Sequence, residues 1–168
     1  MDEYPYILAV DPGPEQSAAV LLKDQPGMKL PGIEWKAKLP NEEMLPRIRQ
    51  QSNAILVVEM IACYGMPVGR PVFETCVWIG RFIQAHNGTH SLMYRREVKL
   101  WLCDSVRAKD GNVRQALIDL FPKTGGGAIP QIGIKAQRGP LYGFSQDMWA
   151  ALGVGMTWLG GSRVTSSL

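Results

Sequence analysis

The sequence has 168 residues, a formal net charge of +3 and 46% hydrophobic residues, which is typical of one globular domain with a substantial core. It contains no run of about 18 apolar residues, and its first residues lack the basic start of a signal peptide. We therefore expect neither a membrane span nor secretion. The three cysteines have no metal-like spacing and are expected to be reduced thiols in the cytoplasm.

Hydrophobic periodicity, caps and turn residues predict five strands and five helices. Asn41 is the expected N-cap of the first helix. Hairpin strands followed by strand–helix crossovers predict an α/β fold with a mixed five-stranded sheet flanked by helices. In chain order the predicted elements are strands at 6–10, 17–23 and 33–38, a helix at 41–51, a strand at 54–58, a helix at 72–86, a strand at 91–94, and helices at 96–103, 111–120 and 147–159.

The remaining segments are predicted as loops. Segment 123–143 is rich in glycine and reads as a long loop, and such loops are usually either functional or disordered. Residues 161–168 are expected to be a flexible tail, which leaves residues 1–160 as a single domain.

Two buried strands end on acids, Asp11 and Glu59. If these strands are parallel neighbours, both carboxylates lie at one edge of the sheet, where α/β folds hold their sites. Asp147 begins the last helix, so it is a third acid that can reach this edge. Converging carboxylates repel one another unless a cation lies between them, and hard divalent cations prefer such oxygen ligands. The pattern therefore indicates a metal site that can hydrolyse a phosphodiester.

Simpler interpretations exist for two of these acids. Asp11 is followed by Pro12 and Gly13, and Asp-Pro-Gly is common turn chemistry. Asp147, near Ser145, is also a first-turn acid that the helix dipole favours. Glu59 is harder to explain in this way, because it ends an unbroken apolar strand where an unpaired charge is costly.

Four segments carry a family resemblance that spans nearly the whole chain. "ILAVDPG" and "ILVVEM" resemble strands that end on a catalytic Asp and a catalytic Glu. "REVKLWLCDSVRAKDGNVRQALIDLF" resembles a stretch with two functional lysines, and "SQDMWAALGVGMTWL" resembles a C-terminal helix that brings the last acids. In this order they resemble the RuvC-type Holliday-junction resolvases, especially phage-type members, which have a ribonuclease H-like fold.

The resemblance implies a structure-selective endonuclease that resolves four-way DNA junctions by paired, metal-dependent cuts. It implies Asp11, Glu59 and Asp147 as catalytic metal ligands, and Lys99 and Lys109 as the functional lysines. Mg²⁺ is the expected cofactor, with Mn²⁺ able to substitute, and no small-molecule cofactor is expected. The expected partners are branched DNA and a second copy of the chain, without a membrane, in the cytoplasm of a bacterium or a phage-infected host cell.

One position departs from the family pattern. The family's last helix usually carries two acids three residues apart, and Asp147 matches the first, but the second position is Ala150. Either the site naturally has three acids, or a natural acid has been replaced by an inactivating substitution. A junction-binding protein with weak or no cleavage therefore remains an alternative function.

Basic residues are concentrated in the second half of the chain, which indicates a phosphate-binding face. From charge alone, an ordinary solvated surface explains them equally well. The candidate DNA-binding residues are Arg95, Arg96, Lys99, Lys109, Arg114, Lys123, Lys135 and Arg138.

Two other enzyme classes share parts of this pattern. Sugar kinases and actin-like ATPases also begin with a strand, an Asp and a glycine loop, but they need two such domains, and the sequence has no second phosphate loop. A related ribonuclease H-like nuclease that acts on other branched DNA or on RNA stays open, because no residue fixes the branch preference.

Overall fold

The computed structural model describes residues 6–165, and the side chains of residues 6–161. Its main sheet has five strands in the order β3-β2-β1-β4-β5. Strand β1 is antiparallel to β2, which is antiparallel to β3, whereas β1, β4 and β5 are parallel. The predicted mixed five-stranded sheet is confirmed. The strands are β1 (Tyr6–Asp11), β2 (Gln16–Lys23), β3 (Gly32–Pro40), β4 (Ala54–Met60) and β5 (His90–Tyr94).

Five helices within the described residues flank this sheet, and each corresponds to a predicted helix. The last one continues past residue 159 into the segment predicted as a tail, and residues 166–168 lie outside the described part. No helix of the described chain is long and apolar enough to cross a membrane. The helices are α1 (Asn41–Arg49), α2 (Arg70–His86), α3 (Arg95–Cys103), α4 (Asp110–Leu120) and α5 (Gln146–Thr165).

The sheet separates two hydrophobic cores, because successive side chains of a strand point to opposite faces. Leu8 and Val10 of β1 pack in one core with α1 and α2. Ile7 and Ala9 pack in the other core with α3, α4 and α5. Odd-numbered positions of β1 therefore face α5, and Asp11 follows in this series.

Helix α5 lies close to the sheet because a glycine faces β1 and β2. A Cβ atom on Gly155 would lie 2.7 Å from Leu22 Cδ1 and 3.1 Å from Ala9 Cβ, so a larger residue would push the helix away. The close approach fixes the start of α5, and with it Asp147, relative to the end of β1.

The glycine-rich segment before α5 is more regular than predicted. It contains a small antiparallel pair, β6 (Gly133–Ile134) and β7 (Gln137–Arg138). The backbone N–H of Gly126 donates to the carbonyl of Gln137 at 2.9 Å, and Leu141 is fully buried in the core. These contacts define one conformation for a segment whose composition predicted only a long loop.

Candidate active site

The sheet register brings the first two acids side by side. Val10 of β1 pairs with Val58 of β4 in parallel register, and Asp11 and Glu59 are the next residue on each strand. Both extend the series of side chains that faces α5. Asp147 lies in the first turn of α5. All three acids line one cavity of about 730 Å³ at the edge of the sheet, so the structure brings the sequence-predicted acids to one place.

A closed hydrogen-bond cycle holds the turn that follows Asp11. The backbone N–H of Gly13 donates to Ser17 Oγ at 3.2 Å, and Ser17 Oγ donates to Asn41 Oδ1 at 2.6 Å. Asn41 Nδ2 donates back to the carbonyl of Gly13 at 2.9 Å. A Cβ atom on Gly13 would lie 2.4 Å from the carbonyl oxygen of Gln16, so only glycine fits.

This cycle corrects the role predicted for Asn41. Helix α1 begins at Asn41, its N-cap is Pro40, and among residues 6–161 no side chain caps it. Asn41 is 1% exposed, and its side chain bonds across to the turn after Asp11, which satisfies a buried amide. A distant contact therefore wins over local capping, and it secures the backbone next to a candidate ligand.

The carboxyl group of Asp11 lies in surroundings that disfavour its negative charge. The pKa of Asp11 is raised from 3.8 to about 7, mainly by burial and next by the neighbouring carboxylates of Glu59 and Asp147, against smaller opposing effects of Arg95 and Lys38. The ionised carboxylate is therefore costly in this cavity unless a cation binds to it.

Glu59 is largely buried, with 16% of its side chain exposed. Burial raises its pKa, and the nearby guanidinium of Arg95 partly opposes this. The closest approach is 3.7 Å, between Arg95 Nη1 and Glu59 Oε2, which is too long for a hydrogen bond. Among the described residues, buried Glu59 Oε2 has no hydrogen-bond partner.

Asp147 has a different environment. Its carboxylate is in direct contact with Lys38 Nζ on β3. The two side chains are 42% and 37% exposed, so solvent screens the pair. The negative charge of Asp147 is thus balanced by Lys38, and the side chain remains accessible to solvent.

The donor set fits a divalent cation. Three carboxylates line one cavity, and Mg²⁺ and Mn²⁺ prefer such oxygen ligands. One carboxyl group has a strongly raised pKa and another has a buried oxygen without a hydrogen bond, and a bound cation would compensate for both. Within the part of the chain that the structure describes, no three His, Cys, Asp or Glu side chains form a ready metal-binding group. Lys38 is in direct contact with Asp147, so metal binding by that carboxylate requires Lys38 to give way.

Ala150 lines the same cavity as Asp147. Positions three apart on a helix share a face, so an acid at position 150 would face the same cavity. The position where the family resemblance expects a further acid therefore belongs to the site, and here it supplies only a methyl group.

The predicted basic residues fall into three groups. Arg95 and Arg114 line the cavity that holds the three acids, and Arg114 also lies over the ring of Trp149 at 5.1 Å. Arg96 and Lys99 line an adjoining cleft of about 330 Å³. The others are exposed away from the walls of the cavity, with Lys109 at the start of α4 and with Lys123, Lys135 and Arg138 on the segment before α5.

Sequence reasoning missed the ion pairs in the cavity. Arg95 was predicted only as a DNA-binding residue, but it also pairs with Glu59 and donates to Asp110 at 2.6 Å. One signal was available, because Arg95 directly follows β5, the parallel neighbour of β4, and parallel strands end at one edge. No comparable signal marks Lys38, whose approach to Asp147 depends on how α5 packs.

In fold, the chain is similar to solved resolvase structures. A Thermus thermophilus RuvC structure gives a TM-score of 0.67 at 13% identity, covering 95% of this chain and 96% of that one. T. thermophilus RuvC in complex with a Holliday junction substrate gives 0.64 at 12% identity, with the same coverage of 95% and 96%. The complex of Fowlpox virus resolvase and substrate Holliday junction DNA gives 0.55 at 12%, covering 92% and 99%.

At the level of sequence, no protein-family model matches the chain, and no curated protein matches it. The likeness in structure confirms the predicted fold, which is that of RuvC and the poxvirus resolvase, across nearly the whole chain.

Proposed function

We propose that this protein is an endodeoxyribonuclease that resolves four-way DNA junctions by metal-dependent hydrolysis of phosphodiesters. The observation that carries the proposal is the cavity in which two strand-end acids, Asp11 and Glu59, meet Asp147. The similar folds of two proteins solved with Holliday junction DNA support this substrate.

Asp11, Glu59 and Asp147 would hold Mg²⁺, or Mn²⁺ in its place. A bound ion supplies an activated water and stabilises charge on the leaving oxygen. The protein contributes a rigid sheet edge, which keeps the first two carboxylates adjacent before the ion arrives. Lys99, in the cleft beside the cavity, and Lys109, at the start of α4, would bind phosphates next to the cut.

DNA binding would depend on the basic side chains that line the cavity and on exposed basic side chains beyond its walls. Each lysine or arginine that neutralises a phosphate releases counterions, so affinity should fall steeply as the salt concentration rises. The residues assigned to this surface are Arg95, Arg96, Lys99, Lys109, Arg114, Lys123, Lys135 and Arg138.

The active form would be a homodimer, because resolving a junction requires two cuts related by two-fold symmetry. Helix α2 offers an apolar surface for a second copy, since Phe73 and Val77 are 61% and 63% exposed one turn apart. Light scattering should give the mass of two chains, and Val77→Asp should halve it.

A second candidate function rests on Ala150. Because this residue lines the cavity without adding a ligand, the protein could instead bind junctions and cut them weakly or not at all.

Both functions belong in the cytoplasm, where DNA is accessible and where the free thiols Cys63, Cys76 and Cys103 stay reduced.

The test is a comparison of four substrates under one condition. The purified protein is incubated with Mg²⁺ and a mobile four-way junction, a fork, a linear duplex or an RNA–DNA hybrid, and Asp11→Asn serves as the matched control. We expect symmetric nicks in the junction, no nicks with a chelator, and junction binding without cleavage by Asp11→Asn.

Other outcomes separate the alternatives. Tight junction binding without nicks by the protein as written would favour the binding function. Preferential cutting of the fork or the hybrid would make it a related ribonuclease H-like nuclease. If Asp11→Asn cut as fast as the protein as written, the assignment of the metal site would be wrong.

A further inference from the structure

Arg95 lies where the catalytic cavity meets α3. It is the first residue of α3, directly after β5, and the backbone N–H of Tyr94 donates to Glu97 Oε2 at 2.7 Å, which fixes the turn between the two elements. The Arg95 side chain is 25% exposed and lines the same cavity as the three acids. Its position is therefore set by the sheet and the helix start.

The two terminal nitrogens of Arg95 have different surroundings. Nη2 donates to Asp110 Oδ1 at 2.6 Å at the rim, where Asp110 is 85% exposed. Nη1 is buried and has no hydrogen-bond partner among the described residues. Nη1 lies 3.7 Å from Oε2 of Glu59, an oxygen that is also buried and unbonded.

This unbonded pair is costly unless a ligand completes it. A buried donor and a buried acceptor that do not bond to each other each retain a desolvation penalty. An anionic oxygen would satisfy Nη1, and a cation would satisfy Glu59 Oε2. The ligand that supplies both at once is a phosphate oxygen on a metal ion, which is the substrate chemistry of the proposed function.

We propose that Arg95 is a catalytic residue that contacts a non-bridging oxygen of the scissile phosphate through Nη1, while Asp110 positions its guanidinium from the rim. Hydrolysis adds a water oxygen to phosphorus, breaks the bond to one sugar oxygen, and moves one proton from the water to that oxygen. Negative charge on the non-bridging oxygens increases during this step. A fixed guanidinium there stabilises the transition state more than the ground state.

This inference rests on the proposed function, and it differs from two simpler roles. If Arg95 only competed with metal for Glu59, its removal would increase both metal affinity and cleavage. If Arg95 only supported the fold, its removal would decrease both. A phosphate-contacting arginine that also faces Glu59 gives an opposed pair of effects, with tighter metal binding and slower cleavage.

The test uses Arg95→Ala, Arg95→Lys and Asp110→Asn, with Arg81→Ala as the matched control. Arg81 also pairs with an exposed acid, Glu42 at 3.1 Å, but it lies on α2 outside the cavity. Single-turnover cleavage of pre-bound junction, junction affinity, and Ca²⁺ binding to the DNA-free protein by calorimetry are measured for each variant.

We expect Arg95→Ala to slow cleavage by about 10²- to 10³-fold, as expected for loss of one preorganised donor. Junction affinity should change less than about threefold, because many phosphate contacts remain. Ca²⁺ affinity of the free protein should increase. Arg95→Lys should restore part of the rate, Asp110→Asn should cost about tenfold or less because its pair is exposed, and Arg81→Ala should match the protein as written.

Failure of this inference is distinguishable from failure of the proposed function. If the protein as written cuts junctions and Arg95→Ala cuts equally well, Arg95 is not catalytic and the function stands. If the protein as written cuts no substrate, the function fails, and binding of inorganic phosphate with Ca²⁺ decides the role of Arg95. Phosphate binding lost in Arg95→Ala would support the contact, and phosphate binding retained, or absent from the protein as written, would overturn it.

Discussion

Glu59 and Asp147 line one cavity, but their charges are handled differently. Glu59 is 16% exposed at the end of a buried strand and lies 3.7 Å from its ion-pair partner Arg95, and its Oε2 has no hydrogen-bond partner within the described chain. Asp147 is 42% exposed on the first turn of a helix and contacts Lys38 directly. The acid on the strand side of the cavity is therefore buried and incompletely paired, whereas the acid on the helix side is more exposed and already paired with Lys38.

This difference indicates on which side of the cavity the binding of a metal ion would be most favourable. On the strand side, burial raises the pKa of Asp11 and of Glu59, so their ionised forms are unfavourable, and a bound cation would stabilise them. On the helix side, the ion must first displace Lys38 from Asp147. A bound metal ion would therefore be stabilised mainly by the two acids on the sheet, and Asp147 on the helix would be a further ligand.

The largest expected effect follows from removing one acid on each side. Glu59→Gln should slow cleavage by about 10³-fold or more, because charge stabilisation by a metal is worth several kcal/mol. Asp147→Asn should cost about tenfold less than this, because water can replace a hydrated ligand. Single-turnover rates on a four-way junction check both, with Glu42→Gln as the control. Equal losses for the two acids would mean that the two sides do not differ as described.

The second prediction concerns the pH dependence of stability without metal. The folded pKa of Asp11 is raised from 3.8 to about 7, so the folded state holds a proton that the unfolded state loses. The stability contributed by this proton is present below about pH 4 and is lost as the pH rises to about 7. The shift corresponds to roughly 4 kcal/mol at most.

The measurement compares the protein as written with Asp11→Asn in denaturant melts from pH 4 to pH 8 with a chelator. The Asn side chain does not titrate, so the variant should gain stability relative to the protein as written as the pH rises. Added Mg²⁺ should reduce this difference at pH 8, because it stabilises only the protein that keeps the carboxylate. A difference that does not change with pH would show that Asp11 is not destabilised by its charge.

A third prediction is to add an acid on the helix side at Ala150. Because this position lines the cavity with Asp147, Ala150→Asp should supply a further oxygen ligand and increase cleavage about tenfold at limiting Mg²⁺. Junction affinity should stay the same, and Ala150→Asn controls for the added volume. If the protein as written is fully active and Ala150→Asp slows it, three acids are sufficient and the site is complete as it stands.

The strand side of the cavity was predictable from the sequence, and the helix side was only partly so. Apolar runs ending at Asp11 and Glu59 imply two buried parallel strands with acids at one edge, because strand periodicity and the location of α/β sites are local rules. The direct contact between Lys38 and Asp147 depends on the register of β3 and on the packing of α5. No short stretch of sequence contains that information.

The same limit applies to Asn41 and to the segment before α5. Local propensity predicts a cap at Asn41, but the buried amide bonds to Ser17 and Gly13, which lie far away in sequence. Glycine content predicts a loop at 123–143, whereas backbone bonds such as Gly125 to Pro130 at 2.8 Å fold it into an ordered segment. In both regions the decisive hydrogen bonds join residues that sequence patterns do not connect.

The smallest expected effect comes from releasing Asp147 from its partner. Lys38→Ala removes a half-exposed ion pair, and such pairs are worth about 0.2–1 kcal/mol, so the affinity of the free protein for Ca²⁺ should rise by up to about fivefold. Calorimetry at pH 8.5 keeps Asp11 ionised, which matters because Lys38 also lowers the pKa of Asp11 slightly. Lys36→Ala is the matched control, since Lys36 is on the same strand but lies over the ring of Phe144 at 4.9 Å. If both variants raise the affinity equally, the effect is one of general charge, and the contact with Asp147 does not restrain metal binding on the helix side.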